Sequence, residues 1–375
     1  MKNPFNYLQF ATGDQFYDRR DILADLRSRF LAGPASVVLY GPRRYGKSSL
    51  VAMLVDSLEK AGLPCVTIDV VKVPTIDLFL AAYATKVYRR LAPVRSGLRK
   101  LGGFFRNLRP KLDLAPDGST GFSFEPAGRS INSDALTEVL DLPQRLLSGN
   151  RRAVIVLDEF QEVESLLPDD RFERVMRSVI QTHRNVSYIF LGSRHHLLRR
   201  MFTDHARPFY KSALTIPLGK PPFDESVSFV CGRFASAGLA IEPDASRRLV
   251  ERIDNIPYYV QQLGFETFRL VDDSGRSVAT PPDVDAAFAR LAGFNRDQYE
   301  QQMLAFSSTQ KALLVALARE PAARFDDAYR IRHALGTSST VNSAKKKLLE
   351  GGFVEQLDGR CVLADPFFAE FLRSV

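Results

Sequence analysis

Eight consecutive residues have the types and order to do chemistry together: Gly41-Pro42-Arg43-Arg44-Tyr45-Gly46-Lys47-Ser48. They fit the phosphate-cradling pattern G-x-x-x-x-G-K-[ST] at every fixed position. Glycines at 41 and 46 let the backbone curl so that its N–H groups converge on an anion. A helix starting at the loop adds free N–H groups and the positive end of its dipole. Lys47 can reach the outer phosphate oxygens of a nucleotide, and the Ser48 hydroxyl is a suitable Mg²⁺ ligand. Pro42, Arg43, Arg44, Tyr45 and Ser49 complete the stretch expected around ATP.

A second stretch carries paired carboxylates: Arg151-Arg152-Ala153-Val154-Ile155-Val156-Leu157-Asp158-Glu159. A continuous aliphatic run reads as a strand buried on both faces. In open parallel sheets ligands bind at the C-terminal ends of strands, where these two acids stand. Asp158 is placed to hold Mg²⁺ through its water shell, and Glu159 to polarise an attacking water. Glu162 and Glu164 read as solvated helix-face charges. Val186 to Leu191 is another buried strand, ending in Gly192-Ser193-Arg194. Ser193 there is a candidate sensor of the terminal phosphate, or simply part of a strand-ending turn. The candidate catalytic residues are therefore Lys47, Glu159 and Ser193, and the candidate metal ligands are Ser48 and Asp158.

These groups need a frame, and the surrounding pattern supplies one. Ser36 to Tyr40 reads as a short strand entering the loop. Leu50, Val51, Leu54, Val55 and Leu58 then recur at helical spacing until Gly62 and Pro64. Pro64 to Val70 reads as a second strand, followed by a helix with Leu78, Leu80, Ala81 and Val87. One helix is expected from Ser133, carrying Leu136, Val139, Leu140, Leu146 and Leu147, with Gly149 beyond its end. Phe172, Val175, Met176, Val179 and Ile180 mark another, and Ala213 to Leu218 is a last short strand before Pro221-Pro222. Ahead of the loop, Phe16-Tyr17-Asp18-Arg19-Arg20 leads into a helix with Ile22, Leu23, Leu26 and Phe30 on one face, stopped at Gly33-Pro34. That lead-in can lie beside an adenine or serve only in packing.

The chain has 375 residues, enough for two or three domains. Its 45% hydrophobic and 25% charged content are those of a globular protein. No apolar run is long enough to span a membrane, and Asp14, Asp18, Arg19 and Arg20 interrupt any signal-like core, so a cytoplasmic location is expected. Cys65, Cys231 and Cys361 are far apart and suit a reducing compartment. The net charge of +8 is concentrated: nine basic residues and no acid fall between Lys86 and Lys111. Pro93, Gly97, Gly102-Gly103 and Pro110 break that segment. Leu112, Leu114, Phe122 and Phe124 alternate around Pro116-Asp117-Gly118, a hairpin pattern. Residues 90 to 130 thus read as an insertion. Arg99, Lys100, Arg106 and Arg109 could touch nucleic-acid phosphates, dock an acidic protein or anionic lipid, or remain solvated.

Residues 223 to 296 read as all-helical, with Pro257 in the first turn of one helix. Asn255-Ile256-Pro257 could touch a nucleotide base from a lid, or be a plain helix start. Three further helices follow, at Thr309 to Leu317, Asp326 to Leu335, and from a Ser338 cap to Glu350. Asp358-Gly359 between Phe353-Val354 and Cys361-Val362-Leu363 signals a hairpin. That order is a winged helix-turn-helix. Its third helix turns Val341, Ala344 and Leu348 inward and Thr340, Asn342, Ser343, Lys345, Lys346 and Lys347 mostly outward. In a DNA major groove the lysines would meet phosphates and Asn342 base edges; the same fold also serves protein contacts.

Taken together these parts resemble the archaeal-type P-loop ATPase family, in the AAA+/STAND neighbourhood, over nearly the whole chain. Phe16 to Leu26 is similar to that family's Phe-x-x-Arg helix motif, which brings in Arg19. Gly41 to Ser48 resembles its Walker A, Val154 to Glu159 its Walker B, and Gly192-Ser193 its sensor-1 turn. Asn255-Ile256-Pro257 resembles its Gly-x-Pro lid motif, with Asn in place of Gly. The chain departs where members carry Tyr-Gly-Arg, since Tyr210-Lys211-Ser212 stands there with Arg199, Arg200 and Arg207 nearby. The resemblance implies an α/β P-loop NTPase core with a parallel sheet sandwiched by helices (residues 1–220), a helical lid (221–297) and a winged helix (298–375). It implies ATP and Mg²⁺ as ligands and slow hydrolysis that drives a switch. Two classes of partner stay open, DNA or, in a STAND-like signalling or protein-remodelling ATPase, another protein. Assembly into a homo-oligomer stays open too.

Overall fold

The computed structural model describes residues 2–8, 13, 16–17, 19–92, 108–114, 120–126, 133–167, 170–357 and 359–374. Arg99, Lys100 and Arg106 lie outside the described residues. The chain divides into two compact units.

The first unit holds Arg19–Pro42 and Lys47–Gly219. It runs α1 (Arg20–Ala32), β1 (Ser36–Tyr40), α2 (Lys47–Lys60), β2 (Cys65–Asp69), α3 (Ile76–Leu91), β3 (Leu108–Leu114) and β4 (Thr120–Pro126). It continues with α4 (Ser133–Leu140), α5 (Leu142–Leu146), β5 (Ala153–Asp158), α6 (Arg171–Ile180), β6 (Val186–Gly192), α7 (His195–Thr203) and β7 (Leu214–Pro217). Five strands form one parallel sheet in the order β2-β5-β6-β1-β7. Side chains alternate across a strand. In β5, Ala153, Ile155 and Leu157 join a core with Phe79, Tyr83, Leu136 and Met176 from the helices. Val154 and Val156 point the other way and are equally buried. Helices therefore cover both faces, as an unbroken aliphatic strand requires.

Where one helix was expected from Ser133 to residue 147, there are two. The break falls at Asp141, because Pro143 has no N–H to give the preceding turn and its ring would crowd it. The insertion contributes the antiparallel pair β3–β4. It is tied to α3: the Phe124 N–H donates to Thr85 Oγ1 at 2.9 Å, and the Phe124 ring meets Tyr88 edge-on.

The second unit holds Met1–Asp18, Arg43–Gly46 and Lys220–Val375. It runs α8 (Phe223–Ser236), β8 (Ala240–Ile241), α9 (Pro243–Arg252), α10 (Pro257–Asp273), β9 (Val278–Ala279) and α11 (Pro281–Phe294). Then come α12 (Arg296–Ala305), α13 (Ser308–Arg319), α14 (Asp327–Arg332), α15 (Ser338–Glu350), β10 (Val354–Leu357), β11 (Arg360–Leu363) and α16 (Pro366–Ser374). One core joins the lid helices to the winged helix, from Val230, Tyr259 and Phe288 to Leu313, Val341 and Phe371. The lid is not purely helical, since β8 and β9 form a short parallel pair. Prolines open α9, α10 and α11, where a missing N–H costs nothing. The cap of α15 is Thr337, one residue before the expected Ser338: its side chain accepts the Thr340 N–H. The wing, β10–β11, is an antiparallel hairpin around positive-φ Gly359.

Candidate functional site

The phosphate loop connects β1 to α2. Gly41 is required by crowding, because a Cβ there would lie 2.3 Å from the Leu218 carbonyl oxygen. Gly46 has φ +79°, the left-handed region glycine enters without penalty. Arg44 has φ +69°, unusual for a side-chain-bearing residue. Lys47 is only 8% exposed, and its Nζ donates to the carbonyls of Gly41 at 2.8 Å and Pro42 at 2.7 Å. Polyphosphate oxygens are charged acceptors of the kind an ammonium in this position takes. Ser48 and Ser49 are half-buried in the first turn of α2.

The paired carboxylates close β5. The register aligns the strand ends: Tyr40 of β1 with Gly192 of β6, and Asp158 of β5 with Asp69 of β2. Burial pushes the Asp158 carboxyl above its usual range, and the charges of Glu159 and Asp69 add to this. The Glu159 N–H and the Lys47 ammonium pull it the other way. Lys47 is thus among the charges that act on Asp158. Both proposed metal-side donors, the Ser48 hydroxyl and the Asp158 carboxylate, are hard oxygens of the kind Mg²⁺ takes, so this donor set fits that ion.

Glu159 is held tightly. It adopts φ +51°, and its Oε2 accepts from the Ser193 N–H at 3.0 Å, the Ser193 hydroxyl at 3.0 Å and the Gln161 amide at 2.6 Å. Ser193, expected as a phosphate sensor, thus orients Glu159 in this structure. Gln161 is a candidate site residue the sequence reading missed. It is 3% exposed, and a Cβ on Gly192 would lie 2.1 Å from its Oε1, so the glycine makes room for the amide. The available signal was an amide two residues beyond Glu159 in a strand-end turn.

Arg19 caps α1 with φ +55° and donates to the Gly219 carbonyl at 2.6 Å. Glu162 and Glu164 differ from the expectation of solvated charges. Glu162 pairs with Arg194 at 3.5 Å, and Glu164 with Arg200 at 3.6 Å and with Arg207. Arg207 also binds Glu173, which burial pushes up to about 7. Arg207 is therefore engaged within its own chain, while Arg199 is exposed on α7.

In the other unit, Pro257 opens α10 after Asn255, whose φ of +54° explains why asparagine can stand where glycine was expected. The Asn255 amide donates to the Pro221 carbonyl at 2.7 Å. Tyr45 is buried in this unit's core. On α15, Asn342, Lys346 and Lys347 are exposed as expected, but Lys345 is not on that face. Its Nζ lies 5.6 Å from the Phe325 ring centroid, because its stem packs across the helix-turn-helix. Arg109 stands in β3.

Residues 31–201 match the family described as AAA domain, and residues 297–374 the family described as "Probable winged helix domain". Among curated proteins none matches the chain significantly. Among solved structures, the Walker-type ATPase PABY2304 of Pyrococcus abyssi is similar at 20% identity and TM-score 0.66, covering 99% of each chain. The Aeropyrum pernix ORC2 protein, solved in ADPNP-ADP complexes, is similar at 14% identity and TM-score 0.59, over 100% of this chain and 97% of its own. The Aeropyrum pernix ORC1 protein, solved in complex with DNA, is similar at 13% identity and TM-score 0.54, over 100% of this chain and 96% of its own. At these identities the likeness is one of fold. Among the described residues, no helix is long and apolar enough to cross a membrane. With both matches in order along the chain, the protein carries an AAA domain followed by a C-terminal winged helix domain.

Proposed function

We propose that this ATPase is a Mg²⁺-dependent, nucleotide-driven switch that works on DNA. The observation that carries the reading is the Glu159 carboxylate at the end of β5, held by Ser193 and Gln161 beside Asp158, on which the charge of buried Lys47 acts. Gly41 to Ser49 would wrap the phosphates with backbone N–H groups. Lys47 would leave the Gly41 and Pro42 carbonyls for phosphate oxygens and stabilise the charge that develops on the transferring group. Mg²⁺, placed by Ser48 and Asp158, would supply further charge neutralisation on the phosphates. Glu159 would orient a water for in-line attack on the terminal phosphorus. Ser193 and Gln161 would fix the Glu159 carboxylate and release it as the terminal phosphate arrives. Arg19 is proposed to border the nucleoside.

The output would lie in residues 221–297 as lid and 298–375 as effector. The exposed face of α15, with Thr340, Asn342, Ser343, Lys346 and Lys347, suits a major groove. One observation favours a second reading, in which the winged helix holds a protein: Lys345 turns away from that face, leaving it less basic. The test is phosphate release with and without Mg²⁺ and duplex DNA, alongside DNA binding titrated with salt. Mg²⁺-dependent release with DNA affinity falling steeply in salt supports the DNA reading. Salt-insensitive or absent DNA binding, with release intact, supports the protein-partner reading.

A further inference from the structure

Arg44 sits at a freely variable position of the phosphate loop, yet its side chain has specific surroundings. Its guanidinium carbon lies 5.1 Å from the Tyr258 ring centroid and 4.8 Å from that of Tyr259, both in the first turn of α10. Its Nη1 donates to Asp365 Oδ2 at 3.3 Å. Its carbonyl accepts the Tyr258 N–H at 3.3 Å. Asp365 is built in just as firmly. Its Oδ1 accepts the N–H groups of Phe367 and Phe368 at the start of α16, and Oδ2 also accepts the Tyr299 hydroxyl at 3.3 Å. Burial pushes the Asp365 carboxyl up, and Arg44 is the foremost group drawing it back.

We propose that Asp365 of the winged helix domain is a positioning residue for the phosphate loop, acting through Arg44. The proposal rests on the ATPase reading above. The left-handed backbone at Arg44 costs energy for a residue with a Cβ, so it persists only while surrounding contacts hold it. Two aromatic faces, a main-chain hydrogen bond and an ion pair supply that hold. Arg44 stands three residues before Lys47, so fixing it fixes the curl from which the loop N–H groups must point. Release of Arg44 lets the loop relax, and ATP must then restore its shape on binding. By linkage, ATP binding strengthens the same contact and so reports nucleotide state to the winged helix.

The experiment is a double-mutant cycle with Arg44→Gln, Asp365→Asn and the pair in the full chain. It reads the ATP dissociation constant with a fluorescent ATP analogue, steady-state turnover, and melting without nucleotide. Asparagine keeps an oxygen for the Phe367 and Phe368 N–H groups, so α16 retains its cap. Each single change should weaken ATP binding about three- to tenfold. The pair should do no worse than the stronger single variant. Asp365→Asn should raise KM with kcat unchanged, and melting without nucleotide should stay within about 2 °C of wild type. Additive effects, or Asp365→Asn binding ATP within twofold of wild type, would overturn the proposal. A wild-type chain that binds no ATP would instead overturn the reading on which it rests.

Discussion

Charge is treated in opposite ways at the ends of the parallel strands and on the outer face of α15. At the strand ends Lys47 and Gln161 are buried, and Asp158 and Glu159 are partly buried, each with hydrogen-bond partners in place. On α15, Lys346 and Lys347 stand in solvent, and the contact of Lys346 with Glu350 is a long 4.0 Å. Buried, oriented charge acts strongly on whatever binds beside it, because little solvent screens it. Exposed charge attracts over distance and weakens with salt. The first kind of site suits chemistry, and the second suits the grip on a polyanion.

Substitutions in each region test this contrast. The largest effect is expected from Glu159→Gln, which should lower ATP turnover by about 10²- to 10³-fold while leaving ATP binding near wild type. Filter binding beside phosphate release separates the two. Glu173 is a buried carboxylate with no role in the chemistry. Its carboxyl is raised from 4.5 to about 7 by burial, so the folded state keeps a proton that the unfolded chain gives up. Stability should therefore be highest below about pH 4.5 as far as this group decides it, and fall on the order of 1–3 kcal/mol as pH rises through 7. Glu173→Gln should flatten that slope in urea melts. On α15, changing Lys346 and Lys347 to Ala should weaken DNA binding about tenfold and reduce the slope of log K against log salt by at most about 2. An unchanged slope would remove this face from the DNA interface. Thr337→Ala removes the cap of α15 and should cost about 1 kcal/mol in thermal melts, with turnover untouched.

The strand ends were legible because the phosphate loop and the aliphatic run of β5 are both local patterns. Lys47, Ser48, Asp158 and Glu159 are proposed as site residues from spacing and hydrophobic context alone. Gln161 was not legible, since its role depends on β6 bringing Ser193 and Gly192 alongside β5. The same holds for Arg44, whose partner Asp365 is far along the chain. The winged helix was readable as three helices and a hairpin, but periodicity placed Lys345 outward when its stem packs over Phe325. Helical spacing fixes a direction around an axis, and a long flexible side chain near the boundary can take either side. The split of α4 from α5 was signalled by Pro143 and passed over because the apolar positions kept their rhythm across it.

The central claim is that Lys47 and Asp158 belong to one ATP site. Its most direct test is equilibrium binding of labelled ATP to wild type and to Lys47→Ala, at a pH and salt where both remain folded by circular dichroism. Binding by the wild type and at least about a hundredfold loss in the variant is the predicted result. Equal binding by the two proteins would contradict it.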